Sequence, residues 1–265
     1  GESGGRKVYE LAARNFKRVS LELGGKSPNI IFDDADLDRA ARGAITGIFS
    51  AGGQTCMAGS RLLVQDTVYD QVLEKLVALT RQAKIGNPLL AETQVGPVAT
   101  RPQFDKVMSY IDIAKAEGAR CVVGGRALSG PQFGCGQFVD PTIFADVNND
   151  MRIAREEVFG PVLAVIRFKD VDDAIRIAND TLYGLAAGIW TKSLERAIKV
   201  SEAVKAGTVW VNNYRSTSFT TPFGGYKHSG IGREGGTEMV KEYMHTKSVW
   251  ISTDLEMPNP FVRKY

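Results

Sequence analysis

Histidine and cysteine are scarce in this chain of 265 residues, which has two of the first and three of the second. The histidines, His228 and His245, offer little material for a histidine-dependent hydrolase or a histidine-ligated metal. The cysteines, Cys56, Cys121 and Cys135, show neither the pattern of a disulfide framework nor the spacing of a zinc site. Their odd number, with no secretory pattern in these residues, predicts a reducing, cytoplasmic setting and no metal centre.

Long apolar runs and basic stripes are also missing. No apolar run approaches the roughly 18 residues needed to cross a bilayer, so no membrane association is expected. The net charge is only +3 and its charges are well mixed, which argues against a nucleic-acid partner. With 43% hydrophobic and 24% charged residues, the chain has the composition of an ordinary globular protein that buries a sizeable core.

What the sequence does contain is an alternation of strand-like and helix-like segments at short spacing. Residues 67–84 are amphipathic at helical spacing. An earlier helix is predicted directly after residues 33–36, and Asp33, Asp34 or Asp36 would cap it. Short apolar runs of strand length separate such helices; among them are "SPNIIF", "SRLLVQ", "PVLAVIRF" and "LAAGIWT". The alternation predicts an α/β fold with a mostly parallel, covered sheet.

A β-rich run near the end of the sequence, "KSVWIST" at 247–253, has no evident partner strand nearby in the chain. It follows a helix-like stretch, "TEMVKEYM". An unpaired strand presents free backbone donors and acceptors, and a second subunit would satisfy them. The run therefore predicts a subunit interface.

One carboxylate, Glu22, stands among apolar residues in "LELGGKSPNIIF" (21–32), directly before a turn at Gly24-Gly25. A buried acid is costly unless backbone donors satisfy it or chemistry requires it. The first interpretation makes Glu22 a carboxylate bonded to backbone or a solvated strand residue. The second makes it a general base whose pKa is raised by an apolar site.

Cys56 lies in a loop of small residues, "SAGGQTCMAGSR" (50–61), between a predicted helix and a predicted strand. Small residues let a substrate approach the thiol and let backbone amides point at it, and a helix or amide nest would favour the reactive thiolate. The alternative is a buried, inert cysteine. Neither histidine lies in a comparable motif, so Glu22 is the base available to Cys56.

Four blocks together resemble the NAD(P)-dependent aldehyde dehydrogenase superfamily. They are "LELGGKSPNIIFDDADLD", "GGQTCMAGSR", "REEVFGPV" and "PFGGYKHSGIGRE", which occur in the order and roughly at the spacing of that family. The resemblance covers residues 5–252. It implies an α/β, mostly parallel-sheet catalytic domain of the aldehyde dehydrogenase type with a C-terminal oligomerisation strand.

The resemblance assigns the chemistry to Cys56 and Glu22. Cys56 matches the nucleophile, which would attack an aldehyde to give a thiohemiacetal and then a thioester. Glu22 matches the residue that activates water to hydrolyse the thioester. Relatives that transfer the acyl group to coenzyme A usually lack this carboxylate, so the resemblance implies release of a free carboxylic acid.

The cofactor is expected to be NAD or NADP, and the residues that would choose between them belong upstream of this sequence. Glu157 matches the residue that binds the nicotinamide ribose, Phe159 an aromatic near the nicotinamide, and Gly24 a backbone position beside it. Ser3 and Gly5 match a turn where a helix N-terminus faces the pyrophosphate. Without the family, a solvated loop edge would be the simpler interpretation of Glu157.

Five residues match or lie in segments that form the aldehyde tunnel of the family: Phe223, Arg215, Ser216, Thr217 and Glu234. Phe223 belongs to "PFGGYK", and Glu234 matches an acid near the tunnel that would assist proton relay. Arg215 would either receive an acidic aldehyde or serve as a surface residue. The segment 214–219 varies with substrate in the family.

The sequence divides into the tail of a coenzyme-binding domain (1–23), a catalytic domain (24–238) and an oligomerisation strand with a C-terminal tail (239–265). It is expected to be a portion of a longer enzyme that forms a homodimer or homotetramer and binds a small aldehyde. Two alternatives stay open: ester or thioester hydrolysis by Cys56 and Glu22 without coenzyme, and an inactive domain that acts as a scaffold.

Overall fold

The computed structural model describes residues 1–253 and 259–262. Its helices are α1 (Glu2–Arg14), α2 (Leu37–Phe49), α3 (Tyr69–Thr80), α4 (Arg101–Ala116), α5 (Arg152–Arg155), α6 (Val171–Asn179), α7 (Leu194–Ala203) and α8 (Glu238–Glu242). Every helix of the described residues is too short or too polar to cross a membrane.

A sheet of seven strands forms the centre of the fold. In spatial order its strands are β11 (Thr208–Val211), β10 (Ala186–Trp190), β2 (Pro28–Ile31), β3 (Arg61–Gln65), β8 (Val162–Phe168), β7 (Thr142–Ala145) and β4 (Arg120–Val123). All neighbouring pairs are parallel except β4 with β7. The predicted α/β fold with a mostly parallel sheet is therefore confirmed.

Three antiparallel pairs of two-residue strands lie outside the large sheet. They are β1 (Leu21–Glu22) with β13 (Gly230–Ile231), β9 (Tyr183–Gly184) with β12 (Tyr226–Lys227), and β5 (Ala127–Leu128) with β6 (Phe138–Val139). The first pair joins two segments about 210 residues apart in the chain, both of which carry blocks singled out above.

Helices cover both faces of the central sheet, as a parallel sheet requires. One apolar cluster packs α4, α6 and α7 against one face, and a second packs α2 and α3 against the other. The strands are accordingly buried on both sides; all four residues of β2 and of β7 are buried.

Helix starts follow local capping chemistry. Asp36, one of three predicted caps, accepts a hydrogen bond from the Arg39 backbone N–H at the start of α2. Asp170 and Ser193 cap α6 and α7 in the same way. These side chains satisfy backbone donors that have no partner inside the helix.

Within the part of the chain that the structure describes, residues 245–253 are not in strand conformation, and Val249, Trp250 and Ile251 are 68%, 93% and 86% exposed. A strand needs a neighbour to satisfy its backbone groups, so the pairing of this run with a second subunit stays a prediction. Residues 254–258 and 263–265 of the predicted oligomerisation segment lie outside the described residues. The division into three domains, with boundaries after residues 23 and 238, stays a prediction.

Arg61 opens β3 with a fully buried guanidinium. Its Nε donates to the Lys26 carbonyl at 2.9 Å, and one terminal nitrogen donates to Asn149 Oδ1 at 2.9 Å. Both terminal nitrogens also reach the end of α6, at the carbonyls of Ile177 and Ala178. A buried charge is tolerated when its donors are satisfied, and Arg61 meets this condition with neutral acceptors.

We expect Arg61→Met to lower the free energy of unfolding by about 3–5 kcal/mol, because four buried acceptors lose their donor. Chemical denaturation followed by circular dichroism measures the loss. Arg42→Met, at an exposed position on α2, is the matched control and should stay within about 0.5 kcal/mol of the parent chain. Equal stability of the two variants would contradict this role of Arg61.

Candidate active site

The segments that carry Glu22, Cys56 and Glu157 meet at one edge of the central sheet. Each precedes one of three adjacent parallel strands, β2, β3 and β8; the first residues of β2 and β3, Pro28 and Arg61, lie beside Ala164, the third residue of β8. Segments that enter neighbouring parallel strands arrive at the same edge. The fold thus brings together three blocks that lie far apart in the sequence.

Glu22 is held in the β1–β13 pair, opposite Gly230. Neither of its carboxyl oxygens has a hydrogen-bond partner within the described residues, although both are buried. A Cβ added at Gly224 would lie 2.9 Å from Oε1, so this glycine gives the carboxyl its space. The first interpretation, a carboxylate satisfied by backbone donors, does not describe the observed geometry.

Burial, together with the nearby charge of Glu234, raises the pKa of Glu22 from 4.5 to about 7, while Arg233 acts in the opposite direction. A carboxyl group with a pKa near neutrality exchanges protons readily at the pH of the cell. The direction of this shift is the one expected for an acid in an apolar site.

Cys56 is half-buried in the loop after α2. Burial raises the pKa of its thiol, and the charges of Glu22 and Glu157 add to the rise. The backbone amides of Met57 and Cys56 lower the pKa but do not outweigh burial. The loop amides thus favour the thiolate, as expected of an amide nest, but burial and the two carboxylates outweigh them.

Gly24 and Gly25 form the junction between the three groups. The Gly25 N–H donates to Glu157 Oε1 at 2.9 Å. A Cβ at Gly24 would lie 2.5 Å from Glu157 Oε2, and a Cβ at Gly25 would collide with the Cys56 carbonyl oxygen. Both positions need glycine because other groups approach the backbone closely, not because of an unusual φ.

The loop 156–160 is fastened to α4. Gln103 Nε2 donates to the carbonyls of Val158 at 2.8 Å and Phe159 at 2.9 Å. Phe159 has a φ of +57°, which is uncommon without glycine and needs support from its surroundings. Gln103 supplies that support. No local pattern in the sequence marked this residue.

Glu156 and Glu157 differ in their surroundings. Tyr110 donates to Glu156 Oε2 at 2.5 Å, and Arg152 binds both oxygens of Glu156 at 2.8 and 2.9 Å. The neighbouring Glu157 uses one oxygen for the Gly25 N–H. Its other oxygen lies over Gly24 and is an acceptor for a ligand hydroxyl.

Behind Glu157 lies Lys26, whose amine is buried and has no hydrogen-bond partner within the described residues. Burial and the nearby charge of Arg61 lower the pKa of Lys26 to about 7, while Glu157 acts in the opposite direction and favours the charged amine. Lys26 is therefore coupled electrostatically to Glu157, and sequence analysis did not identify it.

Helix α1 contacts the same region through Gly5. A Cβ at Gly5 would lie 2.6 Å from Leu23 Cδ2, so glycine lets the helix rest on the residue after Glu22. Ser3 is exposed in the first turn of the helix. The assignment of Ser3 and Gly5 to a pyrophosphate site stays a prediction.

Only some of the residues expected to form the aldehyde tunnel lie close to Glu22 or to the cysteine loop. Phe223 and Glu234 form an antiparallel bridge, with backbone hydrogen bonds of 2.6 and 2.7 Å, and Glu234 influences the pKa of Glu22. Ser216 and Thr217 are exposed. Arg215 is half-buried and donates to groups of the cysteine loop rather than lying free on the surface.

No group of three or more histidine, cysteine, aspartate or glutamate residues could hold a metal ion within the part of the chain that the structure describes. The site is built from one thiol, two carboxyl groups and backbone amides. Such a set is suited to covalent catalysis followed by hydrolysis.

Comparisons with known proteins give a consistent assignment. The model of the aldehyde dehydrogenase family matches residues 1–249. An aldehyde dehydrogenase of Aspergillus niger is 50% identical over 246 residues, which cover 92% of this chain and 49% of the relative. A betaine aldehyde dehydrogenase of Mesorhizobium japonicum is 47% identical over 94% of this chain and 51% of its own length. The chain spans about half the length of the curated relatives that it matches.

Solved structures extend this likeness to the fold. A betaine aldehyde dehydrogenase from Staphylococcus aureus, in complex with NAD+, matches with a TM-score of 0.96 at 41% identity, over 99% of this chain and 52% of that one. An indole-3-acetaldehyde dehydrogenase in complex with NAD+ matches with a TM-score of 0.91 at 45% identity, over 95% of this chain and 51% of that one. The chain belongs to the aldehyde dehydrogenase family.

Proposed function

We propose that this chain carries the catalytic half of an enzyme that oxidises an aldehyde to a carboxylic acid with NAD or NADP. The observation that carries the proposal is the meeting of Cys56, Glu22 and Glu157 around Gly24-Gly25. A scaffold would need none of these groups to approach one another. Three free cysteines support a reducing, cytoplasmic setting.

Cys56 is the nucleophile. Its thiol has a raised pKa, so the proton must leave as the sulfur attacks the aldehyde carbon, and Glu22 is the nearby carboxylate that would accept it. The product is a thiohemiacetal on Cys56. The backbone amides around the cysteine stabilise the oxygen that becomes negative during attack. NAD or NADP, when bound, supplies the acceptor for the hydride that leaves the former aldehyde carbon.

Glu22 then acts on the thioester that remains on Cys56. Glu22 first passes the proton taken from Cys56 to solvent and becomes a carboxylate again. It then removes a proton from water, the hydroxyl oxygen bonds to the acyl carbon, and the bond from that carbon to sulfur breaks. The carboxylic acid is released, and the Cys56 thiolate takes the proton back from Glu22, which restores the thiol. A base with a pKa of about 7 is well matched to this step near neutral pH.

The residues present fit a nicotinamide ribose. Glu157 keeps one carboxyl oxygen beside Gly24 as an acceptor, while its other oxygen is fixed by the Gly25 N–H. Glu157 would therefore bind a ribose hydroxyl, and Phe159 would lie next to the ring. The N-terminus of α1, with Ser3 and Gly5, would face the pyrophosphate.

The substrate is a small aldehyde that would enter between the segment 215–217 and the bridge of Phe223 with Glu234. Phe223 supplies an apolar wall, and the other side chains make the entrance polar. Among the relatives are betaine aldehyde dehydrogenases, so a polar aldehyde is within the range of the family.

Incubation of the chain with NAD or NADP and a panel of aldehydes tests the proposal by the absorbance of reduced coenzyme. Cys56→Ala should lower the rate on the order of a thousandfold or more, because no covalent intermediate forms. Cys121→Ala, which removes a half-buried thiol outside the site, should leave it unchanged. Full activity of Cys56→Ala would overturn the proposal. Ester hydrolysis that depends on Cys56 but produces no reduced coenzyme would support the hydrolase alternative.

Turnover should rise with pH through about pH 7, since only ionised Glu22 accepts a proton and burial places its pKa there. Glu22→Gln should lower turnover by about a hundredfold to ten-thousandfold and remove this rise. Glu234→Gln removes a charge that raises the pKa of Glu22, so the midpoint should move to lower pH. The measurement is turnover against pH at constant ionic strength. If Glu22→Gln kept the same dependence of turnover on pH as the parent chain, Glu22 would be excluded as the base.

We also infer that the enzyme is a homodimer or homotetramer. The run 247–253 carries three exposed apolar side chains, and β11 is an edge strand of the central sheet with Val211 exposed. Exposed apolar patches and free strand edges are typical of subunit interfaces. The pairing of the run with a second subunit is supported by both features.

Trp250→Asp should shift the chain towards monomer in sedimentation velocity, because a charge replaces an apolar side chain in the inferred interface. Leu89→Asp is the matched control, since Leu89 is 89% exposed in the loop between α3 and α4. A parent chain that sediments as a monomer at all concentrations would contradict the inferred interface.

A further inference from the structure

Two adjacent residues after β11 hold the cysteine loop on both sides of the nucleophile. The Tyr214 hydroxyl donates to the Met57 carbonyl at 3.0 Å, directly after Cys56. Arg215 donates to the Thr55 hydroxyl at 3.3 Å, directly before Cys56. Each neighbour of the cysteine is thus bound by one of these two side chains.

The hold of Arg215 extends to the start of the loop. Its second terminal nitrogen donates to the Ser50 carbonyl at 3.2 Å, where α2 ends. One guanidinium therefore joins both ends of the segment from Ser50 to Thr55. Its fork of donors makes this possible, whereas a lysine amine is a single point of attachment.

The ring of Tyr214 lies in a slot made by three glycines from different elements. A Cβ added at Gly47 of α2 or at Gly59 of the cysteine loop would lie 3.0 Å from the ring atoms, and one at Gly188 of β10 would lie 2.5 Å away. Real Cβ atoms essentially never approach to 2.5 Å, and 3.0 Å is tighter than nine in ten real Cβ contacts. The slot fixes the ring and hence the direction in which its hydroxyl points.

The backbone that carries the two residues is strained and pinned. Asn212 and Arg215 have φ values of +52° and +68°, in the left-handed region. The Trp210 ring nitrogen donates to the Ser216 carbonyl at 2.7 Å, and the rings of Trp210 and Tyr214 lie 4.9 Å apart. Strain of this kind persists where the surroundings impose it, often at functional sites.

We propose that Tyr214 and Arg215 form a clamp that positions Cys56 for attack. They are positioning residues, because they act through Thr55 and Met57 on either side of the cysteine. The inference rests on the proposed function in taking Cys56 as the nucleophile. It assigns Arg215 to the cysteine loop rather than to recognition of an acidic aldehyde.

The charges around Cys56 explain why its neighbours must be held. Glu22 and Glu157 both disfavour the thiolate, while the Met57 amide is the largest influence that favours it. Tyr214 fixes residue 57 through its carbonyl, so loss of the hydroxyl frees the amide to turn away. Small displacements of an aligned reacting group are costly in rate.

The test is the rate at which iodoacetamide alkylates Cys56 across pH, with Cys121 and Cys135 replaced by serine so that one thiol remains. Tyr214→Phe should react about tenfold more slowly at pH 7.5 and show a midpoint about one pH unit higher, since one favourable amide interaction weakens. Arg215→Met should change the profile in the same direction, and Arg215→Lys should recover part of the loss.

Tyr69→Phe is the matched control. It also removes a buried tyrosine hydroxyl, but one that donates to the Val165 carbonyl and accepts from the Asp146 N–H. Its alkylation profile should equal that of the parent chain, whatever its stability. A purely structural role for Tyr214 would lower the stability of both tyrosine variants and shift neither profile.

The clamp would be overturned if Tyr214→Phe and folded Arg215→Met both showed the same alkylation profile against pH as the parent chain. If Arg215→Met does not fold, the conservative Tyr214→Phe and Arg215→Lys variants still decide, since each must depart from the parent profile. Alkylation needs neither coenzyme nor turnover. Full coenzyme reduction by Cys56→Ala would overturn the proposed function, whereas the predicted alkylation shifts would still support the clamp, so the two failures are distinguishable.

Discussion

The buried guanidinium of Arg61 joins the two segments on which the site depends. It lies five residues after Cys56 and donates to the carbonyl of Lys26, four residues after Glu22. Its other donors bind Asn149 and the end of α6, which anchors this junction in the body of the fold. All its hydrogen-bond acceptors are neutral, and the nearby carboxylate of Asp180, which accepts a hydrogen bond from Asn149, also favours its charge.

The same burial that shelters Arg61 sets the chemistry beside it. Glu22 and Cys56 are both desolvated, and the neutral form of each is favoured. A base that holds its proton weakly near pH 7 and a thiol that holds its proton firmly are complementary partners for a transfer during attack. Each alone would be an expensive buried group; together they explain why the apolar surroundings are retained.

The sequence predicted what depends on local pattern. A helix cap among Asp33, Asp34 and Asp36 and the parallel strands followed from residue types and spacing, whereas the roles of Cys56 and Glu22 came from the family resemblance. Tyr214 was not predicted, because its slot is made by glycines at 47, 59 and 188, which become neighbours only when α2, the cysteine loop and β10 pack together. The net pKa shift at Cys56 could not be predicted either, since it depends on a balance between burial, carboxylates and amides that are brought together by the fold.

The two faces of the sheet support different parts of the site. Helix α4, which packs on one face, fastens the loop of Glu157 and Phe159 through Gln103. Tyr214 belongs to the apolar cluster on the other face, with α2, and binds the loop of Cys56. The loop of Glu157 and the loop of Cys56 are therefore anchored to separate layers of the protein. They meet at Gly24-Gly25 and again at Gly53, where a Cβ would lie 2.1 Å from the Gly160 carbonyl oxygen. Because the two loops are in direct contact, a change of packing in one layer is transmitted to the loop held by the other, and substitutions in the two layers should not be additive in their effect on the site.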